Sequence, residues 1–190
     1  MNRIMRTVII SCLVDKLRDE GSWCGETHIQ KAGYFLQELA KVPLGFKFVM
    51  YKHGPFSFDL RDELTVLRAD GLLELSVEPP YGPRFVTTVR GKELQGSFSQ
   101  TMPEHEIALN FVANKLGNRK VSDLERLATA LFVTLNADDS EQSTDKRAAQ
   151  FHHLKRHIPE DTARQAIHEI DQIICESKNR ILPSVDSASV

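Results

Sequence analysis

Along the first twenty residues Ile4, Val8, Cys12 and Leu13 fall on one stripe with charges opposite, a spacing that predicts an amphipathic helix ending near Gly21. After the turn-like Gly21-Ser22-Trp23-Cys24-Gly25, the residues Ile29, Ala32, Gly33, Leu36, Leu39 and Ala40 recur at three and four, which predicts a second helix stopping before Pro43. Gly33 inside it costs about 1 kcal/mol relative to alanine, so close packing against another backbone is expected there. Phe46, Phe48 and Met50 then alternate with Lys47, Val49 and Tyr51, as in a short strand with one buried face. A Gly54-Pro55 join follows. Beyond it Leu60, Leu64 and Leu67 return to helical spacing up to Asp70-Gly71.

The next pattern carries the most architectural information. Leu72 to Val77 and Arg84 to Val89 are strand-like runs around Pro79-Pro80-Tyr81-Gly82-Pro83, so they form a β-hairpin with a long tip. A helix ending in Asp-Gly, a hairpin, and Thr88-Val89-Arg90-Gly91-Lys92 opening another helix is the order of a winged helix-turn-helix, with a generic α+β hairpin as the alternative. Past Ser99, Ile107, Phe111, Val112 and Leu116 predict a helix to Gly117-Asn118. Ser122 and Glu125 have capping-box spacing ahead of Leu124, Leu127, Ala128, Leu131 and Leu135. A polar loop is expected at 138–143, a helix over 145–157, and a last helix from Pro159 with Ala163, Ala166, Ile167, Ile170 and Ile174 buried. The predicted class is α+β: a winged-helix-like domain over 1–98 with a hairpin wing, a helical region packed on it over 99–182, and a disordered tail over 183–190.

Composition narrows the class of partner. With 190 residues, 41% apolar and 26% charged, the chain reads as an ordinary globular protein. The net charge of -2 supplies no global attraction for phosphate, so nucleic-acid binding would need a local basic patch. Cys12, Cys24 and Cys175 are an odd, widely spaced set that reads as free thiols in a reducing compartment. The apolar run Val8 to Val14 is too short to span a membrane and lacks a signal-peptide cleavage site, so a cytoplasmic location without membrane association is expected.

Candidate chemistry is sparse. His153 and His157 are four apart and would share a helix face beside His152, but a third ligand is missing, and exposed side chains beside Lys155 and Arg156 are the stronger reading. The adjacent carboxylates Asp62 and Glu63, and Asp138 and Asp139, do not face each other as an acid-base pair would. No nucleophile-elbow, P-loop, dinucleotide-binding or Cys-His signature occurs, so no enzyme activity, cofactor or metal is expected. As a DNA reader the winged helix is compromised by its third helix. Between Phe56 and Asp70 the acids Asp59, Asp62, Glu63 and Asp70 oppose Arg61 and Arg68, a net of -2 facing phosphate. A basic patch from Lys47, Lys52, His53, Arg84, Arg90 and Lys92 keeps that alternative open.

The stretch "HIQKAGYFLQ" (28–37) followed by "FKFVMYKHGPFSFDLRDEL" (46–64) resembles the core of the SocA-like, or Panacea, antitoxin domain family, and within it an uncharacterised bacterial YwgA-like branch. The shared features are a helix of the type LQKxxYF and a strand ending in an aromatic-x-x-Gly-Pro step, together about a fifth of the chain. This chain differs in having Tyr51 where many members have tryptophan, and in its helical region from about Met102 onward. The resemblance implies a bacterial toxin-antitoxin, prophage or defence setting, in which the domain binds a protein such as a toxin and presents it to a protease. It also singles out Gln30, Lys31, Tyr34, Phe35, Tyr51, His53, Gly54 and Pro55. An exposed Gly-Pro step flanked by Tyr51, Phe56 and Phe58 would make a rigid amphipathic surface suited to protein partners. The expected partner-binding set is therefore Gln30, Lys31, Tyr34, Tyr51, Lys52, His53, Gly54, Pro55 and Phe58, with homodimer formation left open. The competing reading places Tyr34, Phe35, Tyr51 and Phe56 in the hydrophobic core.

Overall fold

In the computed structural model, which describes residues 1–100, 102–138 and 142–181, the chain is α+β and mostly helical. Asn2 opens α1 (Arg3–Asp19) by accepting the Met5 N–H at 2.8 Å, which satisfies one of the unpaired donors at the helix start. The second helix begins as α2 (Glu26–Tyr34) and continues into a π-helical turn (Phe35–Leu39), closed by Ala40 N–H donating to the Phe35 carbonyl. The wider turn still directs Phe35, Leu36 and Leu39 into the core.

The expected strand from Phe46 to Tyr51 is shorter than its alternation suggests. Only Val49–Tyr51 (β1) is a strand, and it pairs antiparallel with Gly54–Phe56 (β2), so the Gly-Pro join is itself a strand. The Gln37 side chain explains the difference: its amide donates to the Phe46 carbonyl and accepts the Phe46 N–H, both at 2.8 Å, taking the place of a neighbouring strand. Helix α3 (Phe58–Ala69) starts where the Ser57 hydroxyl accepts the Leu60 N–H. Gly33 does mark a close approach, but to a side chain rather than a backbone: a Cβ there would lie 2.9 Å from Leu60 Cδ2 of α3.

A second antiparallel hairpin, β3 (Leu73–Ser76) with β4 (Arg84–Thr87), follows in the register Leu73 to Thr87, as the strand-like runs predicted. Its tip folds back on the α1–α2 turn, where Trp23 donates to the Gly82 carbonyl at 3.0 Å and packs at a tilt against Tyr81 with centroids 4.8 Å apart. The Thr88 hydroxyl then caps α4 (Val89–Ser97).

Four helices complete the described residues: α5 (Pro103–Leu116), α6 (Val121–Leu135), α7 (Thr144–Leu154) and α8 (Glu160–Arg180). The Ser122–Glu125 capping box does not form. Lys120 is the N-cap, its carbonyl accepts the Asp123 and Leu124 N–H groups, and Ser122 is already helical. The expected helix over 145–157 ends at Leu154, and its continuation turns back as His152 Nδ1 meets the Ile158 carbonyl at 2.7 Å. α6 packs on α2, β2, α7 and α8, and α5 on α1, so both halves of the chain share one hydrophobic core. Residues 139–141 of the loop expected over 138–143, and the tail expected from Pro183, lie outside the described residues. Among the described residues, no helix is long and apolar enough to cross a membrane.

Candidate functional site

The residues singled out around the Gly-Pro step divide into an inner and an outer set. Gln30 is fully buried, and its amide pairs with both backbone groups of Ser57, donating to the carbonyl and accepting the N–H at 2.9 Å each. Lys31 is 1% exposed, and its Nζ donates to the Pro55 carbonyl at 2.8 Å. Tyr34 is also buried, edge-on to Phe48 at 5.1 Å between centroids. These three hold the hairpin and the start of α3 from inside. They present no surface to a partner.

Gly54 and Pro55 are buried as well, so the expected exposed Gly-Pro step is instead pressed against α6. Gly54 has φ +86°, and a Cβ on it would come within 3.0 Å of Thr129 Oγ1 and 3.3 Å of the Glu125 carbonyl. Both the backbone conformation and the close approach require glycine.

The outer set is Tyr51, Lys52, His53 and Phe58. Tyr51 is 56% and Phe58 43% exposed, and with Phe56 they form a triangle of rings whose centroids lie 5.1–5.8 Å apart. Val49, on the same hairpin, is also exposed. Of the aromatic residues weighed as core, Tyr34 and Phe35 are buried, Phe56 is half-buried and Tyr51 is on the surface. His53 Nδ1 lies 3.0 Å from Glu125 Oε1 of α6, and the Lys155 ammonium donates to the carbonyls of Tyr51, at 2.9 Å, and of Lys52. The hairpin turn is thereby tied to segments that lie far along the chain.

Beside this turn opens a cavity of about 910 Å³, bounded by Lys52 and His53, by α6 and by the α7–α8 connection. Its floor includes the buried Phe151 and Thr129, with Ile158 and Leu154 at the side. Four permanent cations line it, Lys52, Arg126, Lys155 and Arg156, against one carboxylate, Glu125. His153 and His157 line it too, while His152 is engaged with Ile158. Among the described residues no group of three His, Cys, Asp or Glu is placed to hold a metal ion. Behind the cavity, burial lowers the Lys31 pKa to about 8; Glu125 opposes that shift and Lys155 adds to it. Burial also lowers the pKa of Lys155.

Cavity and hairpin turn were only half visible in the sequence. Lys52, His53 and the three histidines were singled out, but Glu125, Arg126, Thr129 and Phe151 carried no signal of a shared site, since their spacing is that of ordinary helices.

The residues considered for nucleic acid are held differently from one another. Arg84 pairs with Glu78 and lies over the Trp23 ring at 5.1 Å, and Lys92 pairs with Asp15 at 2.8 Å. Lys47 is exposed near Asp59, Arg90 lies beside Asp70 and Leu72, and Lys52 borders the cavity. The acidity assigned to α3 is also reduced. Glu63 is buried against α1, where it accepts from Arg6 Nη2 and Thr7 Oγ1 at 3.2 Å each. Its exposed charges are then Asp59, Asp62 and Asp70 against Arg61 and Arg68.

Comparison of the chain with protein-family models gives no match, and comparison with curated proteins gives none either.

Proposed function

We propose that this chain is a non-enzymatic protein-interaction module, of the antitoxin-like or adaptor kind, that engages a polypeptide partner at the β1–β2 hairpin. The supporting observation is the exposed ring cluster of Tyr51 and Phe58, mounted on a turn that Lys31, Gln30, Lys155 and Glu125 brace from behind. Pre-positioned aromatic side chains lose little conformational freedom on binding, which is why they dominate protein interfaces. The order α3, β3–β4, α4 accords with a winged-helix scaffold, and the motif around Lys31 and Pro55 accords with a SocA-like relationship.

The test is affinity capture with mass spectrometry on the wild-type chain, Tyr51→Ala and Phe58→Ala, alongside thermal melts. Loss of a captured protein from both variants at unchanged melting temperature is expected. Capture of the same proteins by all three chains would remove the hairpin from the interface.

A second reading, a winged-helix DNA-binding regulator, draws on one observation: Glu63 turns inward to Arg6 and Thr7, so the surface of α3 is less acidic than its composition. That reading requires duplex binding that weakens steeply with salt and with charge reversal at Arg61 and Arg68.

A further inference from the structure

The cavity beside the hairpin turn has a charge balance opposite to that of the whole chain. The protein carries a net charge of -2, yet the cavity lining carries +3 before any histidine is protonated. Among the described residues neither Lys52 nor Arg156 is in an ion pair, and both are exposed at the rim. Lys155 spends two of its three N–H groups on the carbonyls of Tyr51 and Lys52, which leaves one for a ligand. Between these cations the floor is largely apolar, with the buried Phe151 beside Thr129, Ile158 and Leu154 at the side and the Tyr51 ring at the edge.

We infer that this cavity receives an acidic polypeptide segment carrying an aromatic or aliphatic side chain, the apolar group entering the floor and flanking carboxylates meeting Lys52, Lys155 and Arg156. The inference rests on the protein-binding reading above and names the chemistry of the partner. Tyr51 belongs to both the ring cluster and the cavity rim, so one bound segment can cover the two surfaces continuously. A volume of about 910 Å³ accommodates a short stretch of chain rather than a lone side chain. The arrangement of donors favours a peptide over a phosphate ligand. Phosphate sites gather backbone N–H groups onto one point, whereas these cations are long side chains spread around an apolar floor. Arg126 is additionally held by Asp123.

The experiment selects a displayed library of random peptides, each about twelve residues long, on the full chain and on the Lys52→Glu/Arg156→Glu variant. Sequences enriched on the wild type should combine Asp or Glu with a Phe, Trp, Leu or Ile. A synthetic copy of the most enriched sequence should bind the charge-reversed variant at least about tenfold more weakly. Its affinity for the wild type should fall by a similar factor between about 50 mM and about 500 mM salt, as screening of a several-charge contact requires. That salt titration needs no variant, so it holds whatever the substitutions do to folding. Absence of enrichment, enrichment of neutral or basic sequences, or equal binding to the variant overturns the inference, as does saturable binding of ATP without peptide enrichment. If Tyr51→Ala loses the cellular partner while charge reversal keeps it, the interaction surface stands and the acidic-segment inference falls.

Discussion

Lys31 sits inside the protein with its ammonium 2.8 Å from the Pro55 carbonyl, so a fully buried cation is the tie between α2 and the hairpin that carries Tyr51. A single carbonyl does not replace the hydration of an ammonium group, and the pKa is accordingly lowered from 10.5 to about 8.

That shift makes stability depend on pH with a definite sign. Below about pH 8 both folded and unfolded chains hold the Lys31 proton, and the folded state bears the full cost of the buried charge. From about 8 to 10.5 the unfolded chain binds more protons, so stability rises with pH. The thiols act in the opposite sense. Burial raises Cys12 from 9.0 to about 11 and Cys24 from 9.0 to about 12, so above pH 9 the unfolded chain loses protons that the folded chain retains. The expected result is that about 1 kcal/mol gained at Lys31 between pH 8 and 9 is largely offset by about 0.7 kcal/mol lost at the two thiols, a net rise of about 0.3 kcal/mol, followed by a decline. Urea unfolding across this range should show the rise in the wild type and not in Lys31→Met. A wild-type midpoint that only falls from pH 8 would contradict the assignment.

Gly54→Ala should destabilise by about 1–3 kcal/mol, because an L residue at φ +86° is strained and its methyl would press on Thr129 Oγ1 and the Glu125 carbonyl. The loss should appear in equilibrium unfolding, and Thr129→Ser should not restore it, since the hydroxyl and the backbone carbonyl remain. An unchanged unfolding midpoint would mean that β2 and α6 are not in contact there.

Glu63→Ala leaves Arg6 and Thr7 without their acceptor at the α1–α3 contact, with an expected cost of about 1–3 kcal/mol. Glu63→Gln retains an acceptor oxygen and should lose less. Thermal melts of the two variants check the order; equal losses would mean that packing, not hydrogen bonding, determines the contribution of this residue.

The Arg147 guanidinium holds Asp171 through two parallel bonds of 2.7 and 2.8 Å and joins α7 to α8. Asp171→Ala strands a buried cation and should cost about 3 kcal/mol, whereas Arg147→Met removes that charge together with its partner's role and should cost less. The reverse order in chemical denaturation would refute this account.

The helices α1, α2 and α3, and the strand pair β3–β4, were legible because each depends on a repeat of two or three to four residues within one segment, although the stripe expected on α1 differs: Ile4 is exposed and burial is continuous from Thr7 to Ser11. Hydrophobic spacing similarly located α5, α6 and α8. Where the sequence misled, a hydrogen bond that hydrophobic spacing does not encode intervened. Gln37 satisfied the backbone of Phe46, which ended strand pairing before it began, and Lys120 rather than Ser122 started α6.

By itself, then, the chain's pattern determined which segments are helices and which form the longer hairpin. Tertiary structure alone decided that Gln30, Lys31 and Tyr34 face inward while Tyr51 and Phe58 face out, and that Lys52 meets Lys155, 103 residues later. The reason is physical. Helical and strand periodicity report the environment averaged along one element, but a site assembled by packing α6 and the α7–α8 connection against β2 is an encounter between distant elements, and no local repeat encodes it.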